Sequence, residues 1–147
     1  MNNLRPSQII IMASGVVMFL FSFFAWYKSS LGGGSTSAWG SGLFPLAWFV
    51  PIFGIISAGV MAAAVLGGVR LPEPILSFSW RQIHFVLAFT ALVIAVGFLL
   101  VDAPGIDRGI GFWFNLLGAI GLTVGSVMEL LAPGQSRSSR SGPATPF

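Results

Sequence analysis

Four long runs of apolar residues constrain the fold of this chain more than any other feature. They cover residues 9–27, 43–69, 83–101 and 111–132. As helices, all four are long enough to cross a hydrocarbon core about 30 Å thick, whereas strands or coil would leave peptide groups unbonded in lipid. The sequence therefore predicts an all-α fold, a four-helix transmembrane bundle over residues 1–132. Residues 133–147 are predicted to be a disordered, basic tail rich in Ser and Pro.

The composition excludes several classes of protein. Hydrophobic residues make up 55% of the 147 residues and charged residues only 7%, which is too apolar for a soluble domain. The seven cations are scattered among the ends of the apolar runs, so the pattern predicts no nucleic-acid partner. Because the chain has no Cys, disulfides and thiolate chemistry are excluded.

The distribution of cations predicts the orientation in the membrane. One set of helix ends has five cations and the other has two: Arg5, Arg70, Arg81, Arg137 and Arg140 against Lys28 and Arg108. The positive-inside rule then places both termini in the cytoplasm. The rival interpretation, a signal peptide over residues 1–38, is disfavoured because its apolar core is too long and ends in AWYK.

The segments between the runs carry turn and cap signals. The glycine-rich stretch SSLGGGSTSAWGSG lacks the lysine of a phosphate-binding loop and is predicted to be an external linker. Ser79 and Gln82 have capping-box spacing and predict a helix start near Trp80, while Pro51 predicts a bend near Val50. GSGLF at residues 40–44 returns as GIGFW at residues 109–113, which indicates either two similar helical hairpins or a chance agreement.

Small residues form two ladders at helical spacing. The predicted packing positions are Gly111, Gly118, Gly121 and Gly125 on the fourth helix and Gly59, Ala63 and Gly67 on the second. Such ladders let helix backbones approach closely and gain dispersion contacts. Two interpretations remain open: packing within the bundle, or docking of a helix from a partner subunit.

Aromatic residues are concentrated toward the predicted outer leaflet. Trp39, Trp48 and Trp113 fit an interfacial belt, and they also fit a groove for a lipid or another apolar ligand. Asn115 is predicted to bond another helix, or alternatively to orient the polar headgroup of such a ligand.

The ionisable residues do not predict a reaction centre. Trp80, Arg81, His84 and Glu129 are predicted to be interfacial, with Glu129 alternatively a buried partner of Arg70 or Arg81. A proton relay or metal site at His84 is the disfavoured alternative. Because no nucleophile lies near a base and no set of ligands has metal-site spacing, we predict no enzyme, no cofactor and no metal.

Three segments carry a resemblance to a known family. FSFFAWYKSS, SAWGSGLFPLAWF and GIGFWFNLLGAIGLTVG, within residues 9–130, resemble small four-span integral membrane proteins of actinobacteria. The resemblance supplies no catalytic residue and implies a plasma-membrane protein that accompanies larger envelope or transport assemblies. The leading functional hypothesis is therefore a non-enzymatic accessory subunit of a larger membrane complex, surrounded by membrane lipids. The alternative is a membrane protein that binds lipid or an apolar ligand through the outer aromatic cluster.

Overall fold

The computed structural model describes residues 4–40, 46–69, 78–102 and 104–132. Its helices are α1 (Pro6–Phe21), α2 (Phe49–Val65), α3 (Trp80–Leu100) and α4 (Ile110–Leu131). The prediction of four helices is confirmed, and α3 and α4 are long and apolar enough to cross a membrane. The helices α1 and α2 are shorter, with 16 and 17 residues. The predicted tail at residues 133–147 lies outside the described residues.

A small sheet accompanies the helices, so the all-α prediction was incomplete. Its strands are β1 (Ala25–Ser29), β2 (Ser35–Ser37) and β3 (Ile106–Arg108), in the antiparallel order β2-β1-β3. The first apolar run therefore leaves the helical conformation at Phe21 and not at Tyr27. The Ser22 hydroxyl donates a hydrogen bond to the Phe19 carbonyl at 2.6 Å. The aromatic residues that follow favour a strand.

The first part of the glycine-rich segment forms a hairpin, a structure that the prediction of a linker did not include. Lys28 pairs with Ser35 across β1 and β2, and the Ser29 N–H donates to the Gly34 carbonyl at 2.8 Å. Gly33 has a φ of +68°, a conformation that residues with a Cβ adopt only at a cost. A glycine is thus needed at the tip of this hairpin.

Arg108 connects the sheet to the end of α3. Its Nη2 donates to the carbonyl oxygens of Leu99 at 2.6 Å and Val101 at 3.0 Å. The last carbonyls of a helix have no partner within the helix and carry partial negative charge, so a guanidinium both bonds and neutralises them. Arg108 therefore stabilises the end of α3, in addition to its part in the predicted orientation.

The side chain of Trp26, from strand β1, packs into the end of the helical bundle next to the sheet. Its side chain is fully buried and meets the Phe112 ring edge-on at 5.7 Å and the Phe98 ring at 6.3 Å. The N–H of Gly109 donates to the Trp26 carbonyl at 2.6 Å. The sheet is therefore packed onto α3 and α4 at this end of the molecule.

Tyr27, beside Trp26 on β1, gives a testable consequence of this packing. Burial raises its pKa to about 12, while the positive charge of Arg108 opposes the shift. Folding favours the neutral phenol over the ionised form. The stability that this preference contributes to the folded state is complete below pH about 10 and is lost as the pH rises through about 12.

We expect the absorbance of tyrosinate to show this directly, because the chain has one Tyr. At pH 11 about a tenth of the phenol should be ionised in the folded protein, against about nine tenths in the unfolded chain. Absorbance near 295 nm measures the ionised fraction, and circular dichroism at the same pH confirms that the helices persist. A folded protein that titrates with a midpoint near pH 10 would contradict the burial of Tyr27.

Pro51 lies in the first turn of α2. The helix starts at Phe49, so the missing N–H of Pro51 is one of the four that have no helical acceptor. The physical reason for the predicted bend near Val50 is therefore absent, because the helix begins later than the apolar run does. Residues 43–45 of that run lie outside the described residues.

The helix α1 packs between α2 and α4. Its Gly15 faces Gly54 and Ala58 of α2, where a Cβ on Gly15 would lie 2.6 Å from the Ala58 Cβ. On its other side α1 faces the glycines of α4. Small residues thus bring three helices into close contact.

Candidate functional site

A cleft of about 290 Å³ lies at the end of the bundle opposite the sheet. All four helices contribute to it: Gln8 from α1, Val60, Met61, Ala64 and Val65 from α2, Trp80, Arg81 and His84 from α3, and Glu129 from α4. One wall is apolar and the other carries the ionisable groups. This cleft brings together the four residues predicted to be interfacial.

The start of α3 places three of these residues. The Ser79 N–H donates to Gln82 Oε1 at 2.9 Å, and the Gln82 N–H donates to Ser79 Oγ at 3.4 Å. This is the predicted capping box, and it fixes Trp80 as the first helical residue. Trp80 and His84 are then one turn apart, with their rings perpendicular at 6.4 Å.

Glu129 is buried, so the prediction of an interfacial carboxylate is corrected. It is 7% exposed, and its Oε2 accepts a hydrogen bond from the Ser7 hydroxyl at 2.6 Å. Its Oε1 lies 3.5 Å from Arg5 Nη1 and 3.9 Å from Arg81 Nε. The carboxylate can be buried because α1 and α3 both supply partners for it. Of the two alternative partners, Arg81 is found, whereas Arg70 lies outside the described residues.

The contribution of Arg5 was missed from the sequence. Arg5 lies just before α1 and Glu129 lies near the end of α4, so the sequence places both residues at the same end of the bundle. This shared position was the signal that could have indicated their contact. The apolar pattern does not tell which faces of α1 and α4 meet.

Arg81 also binds the end of α4. Its Nη1 donates to the Ala132 carbonyl at 3.1 Å, while a third of the side chain is exposed. The guanidinium thus bonds the final turn of α4, where carbonyl groups lack helical donors.

His84 is inside the protein, in contrast to the predicted contact with lipid headgroups. It is 4% exposed, and neither ring nitrogen has a hydrogen-bond partner within the described part of the chain. The side chain lines the cleft together with Arg81 and Glu129. The first turns of α3 bury it because that face of the helix is directed at α4 and α2.

The glycines of α4 contact α1 and the turn that follows it in the same chain. A Cβ on Gly111 would lie 2.7 Å from the Phe24 carbonyl oxygen, and one on Gly125 would lie 2.9 Å from Ile11 Cγ1. Gly118 faces Met18 and Gly121 faces Ser14 in the same way. The interpretation of packing within the bundle therefore describes these four positions, and they are not open to a partner.

The ladder of α2 is placed differently. Gly59 is exposed, and no atom lies within 4 Å of the position that its Cβ would take. Ala63, one turn later, is half-buried. Gly67 follows the end of α2 at Val65, so it does not extend the helical ladder as predicted. The glycines there end the helix, and Gly68 has a φ of +59°.

The predicted outer aromatic cluster is divided among separate ring pairs. Trp39 stacks on Phe23 at 5.9 Å, Trp48 stacks on Phe49 at 4.2 Å, and Trp113 meets Phe112 edge-on at 5.6 Å. The three indoles are 41 to 47% exposed, which fits side chains at an interface. Trp39 Nε1 also donates to Ser22 Oγ at 2.8 Å.

Asn115 is fully buried, so it does not reach a headgroup outside the bundle. Its Nδ2 donates to the Gly111 carbonyl at 2.9 Å, within its own helix. The predicted bond to another helix is therefore not formed by this group. The Oδ1 atom has no partner among the described residues.

Among the described residues, no group of three or more His, Asp or Glu side chains could hold a metal ion. Comparisons of the chain with protein-family profiles, with curated proteins and with solved structures found no match. The resemblance to actinobacterial four-span proteins therefore stays a prediction, and the interpretation of the site depends on its geometry.

Proposed function

We propose that this chain is a four-span integral protein of the plasma membrane, with both termini in the cytoplasm, and that it acts as a non-enzymatic accessory subunit. It would stabilise or position a larger membrane complex by contact between helices. The observation that carries the proposal is the separation of charge from apolar surface along the helices.

The described charged residues lie at the two ends of the molecule. Arg5, Arg81 and Glu129 are at the end with the cleft, and Lys28, Asp102, Asp107 and Arg108 are at the end with the sheet. The distance from Ile110 to Glu129 along α4 is about 29 Å at a rise of about 1.5 Å per residue. This matches a hydrocarbon core of about 30 Å. Large apolar side chains are exposed on all four helices, as lipid contact requires.

The proposed orientation predicts where single cysteines are accessible. The chain has no Cys, so Gly34→Cys in the hairpin and Ser136→Cys in the tail each report one position. We expect an impermeant maleimide to label position 34 in intact cells and to label position 136 only after permeabilisation. Labelling of both positions from the same side would overturn the four-span arrangement.

Gly59 supports the accessory role, because it is exposed on α2 and no atom lies within 4 Å of the position that its Cβ would take. The glycines of α4, in contrast, are already covered by other parts of the same chain. A helix from another subunit could approach the α2 backbone closely there. Gly97 on α3 is also exposed, with no atom within 4 Å of its Cβ position, and it serves as a matched control.

We expect Gly59→Leu to remove the partner from affinity purifications made at native expression level in mild detergent. Gly97→Leu should keep the partner, since it adds the same side chain to a different open face. Protein identification by mass spectrometry measures both. Recovery of the wild-type chain alone, or equal recovery of the partner with both variants, would contradict the proposed docking face.

A further inference from the structure

The described charges around the cleft do not balance. Arg81 and Glu129 line the cleft, and Arg5, which does not line it, lies 3.5 Å from the Glu129 carboxylate, so these three groups have a net charge of +1. A guanidinium has five N–H donors. Within the described residues, Arg81 uses Nε toward Glu129 and Nη1 toward Ala132, and Nη2 carries two further donors. The polar wall can therefore accept one more negative charge.

His84 is a second and independent sign of a ligand. It is at least nine-tenths buried, it lines the cleft, and both of its ring nitrogens lack a partner among the described residues. Buried polar groups are nearly always hydrogen-bonded, by protein, water or ligand. A neutral imidazole offers one donor and one acceptor. A ligand oxygen in the cleft would satisfy the donor.

The opposite wall of the cleft is apolar. Val60, Met61, Ala64 and Val65 of α2 form it, and Trp80 borders it. A group that fits the whole cleft is therefore anionic on one side and hydrocarbon on the other. The two arginines disfavour a cation.

We propose that this cleft binds a monoanionic phosphodiester, with Arg81 pairing with its charge, Arg5 adding positive charge beside Glu129, His84 donating to a phosphate oxygen, and the α2 wall packing on the attached carbon chain. One negative charge neutralises the net charge of the three side chains. A phosphomonoester, with nearly two charges, would leave an excess negative charge beside Glu129. Bidentate pairing of guanidinium with phosphate supplies the geometry.

Two sources have this chemistry: an anionic phospholipid and a water-soluble phosphodiester. The lipid source requires the cleft to lie at the membrane surface, as in the proposed function, whereas the soluble source does not. Neither source requires the partner subunit.

His84 is the only His in the chain, so it reports on this site without interference. We would label the full chain with ¹⁵N-histidine, purify it with a tag that contains no His, and place it in a zwitterionic detergent. The probes are dihexanoyl phosphatidylglycerol, its deacylated headgroup glycerophosphoglycerol, and dihexanoyl phosphatidylcholine. We expect a saturable shift of a ring-nitrogen signal with phosphatidylglycerol and none with phosphatidylcholine, whose headgroup has no net charge.

Matched charge variants test the assignment. Arg81→Gln should weaken binding at least about tenfold, and Arg5→Gln, which removes a charge beside Glu129 and not a lining group, should weaken it by a smaller factor. Lys28→Gln removes the same charge from an exposed position at the opposite end and should leave binding unchanged. Each variant is first checked by the His84 signal without ligand, and the two arginine variants give independent tests if one of them does not fold.

The outcomes separate the alternatives. Glycerophosphoglycerol that binds as tightly as the lipid supports the site with a soluble ligand, and a requirement for the acyl chains supports it with a lipid. The absence of a saturable shift, an equal shift with phosphatidylcholine, or unchanged affinity in both arginine variants would overturn the proposal. None of these results depends on the partner experiment, so failure of one proposal is distinguishable from failure of the other.

Discussion

Gly111→Ala is expected to lower the free energy of unfolding by about 2 to 3 kcal/mol, the upper part of the range of about 1 to 3 kcal/mol for an overpacked core. The added Cβ would lie 2.7 Å from the Phe24 carbonyl oxygen, 2.8 Å from that of Phe21 and 3.0 Å from that of Ala25. These atoms belong to the backbone that leads from α1 into β1, so no side-chain rotation relieves the contact. Either α4 or this turn must move. Unfolding in mixed micelles with increasing SDS, followed by circular dichroism, measures the change.

Gly59→Ala is the matched control for this result. It makes the same substitution in a helix, but no atom lies within 4 Å of the new Cβ. Ala is favoured over Gly inside a helix by about 1 kcal/mol, so the control should be as stable as the wild type or slightly more stable. Equal stability of the two variants would show that α4 does not pack against the start of β1 as described.

Glu129→Ala has the second largest expected effect, a loss of about 1 to 3 kcal/mol in the free energy of unfolding. The variant removes the acceptor of the Ser7 hydroxyl, which lies 2.6 Å away, and leaves Arg5 and Arg81 without their anion. The loss stays below that of a fully buried ion pair, because both arginine side chains are more than one-third exposed.

Two further variants test the cause of the stability loss in Glu129→Ala. Glu129→Gln keeps an oxygen for Ser7 and removes the charge, so its stability should lie between those of the wild type and Glu129→Ala. Asp102→Ala removes an exposed carboxylate and should change stability little. The same SDS titration applies to all three. If Glu129→Ala is as stable as Asp102→Ala, the carboxylate does not join α1, α3 and α4.

The helices could be predicted from the sequence because each is a long apolar run with a local end signal. The cap formed by Ser79 and Gln82 is the clearest case, since both its residues lie within one turn. The sheet could not be predicted in this way. The strands β2 and β3 have three residues each, too few to show a period of two, and β3 pairs with a strand from the other end of the sequence.

The candidate site was predicted only in part. The sequence placed Arg81, His84 and Glu129 at the same end of the molecule, because position along a helix follows from counting residues. Their burial depends on how closely α1 and α3 approach α4, and this in turn depends on which glycines meet which helix. The ladder of α4 was compatible with contact inside or outside the chain, and the contacts of its four glycines within the chain, such as Gly125 with Ile11, distinguish the two.

The pairing of β1 with β3 makes the order of synthesis important for this protein. Tyr27 pairs with Arg108, so the first strand emerges from the ribosome long before its neighbour exists. Until then β1 has an open edge on that side, and Trp26 lacks the Phe112 ring against which it packs. A nascent chain that stops after α3 should therefore be exposed to misassembly and proteolysis, and maturation is complete only when α4 and β3 have joined the earlier elements.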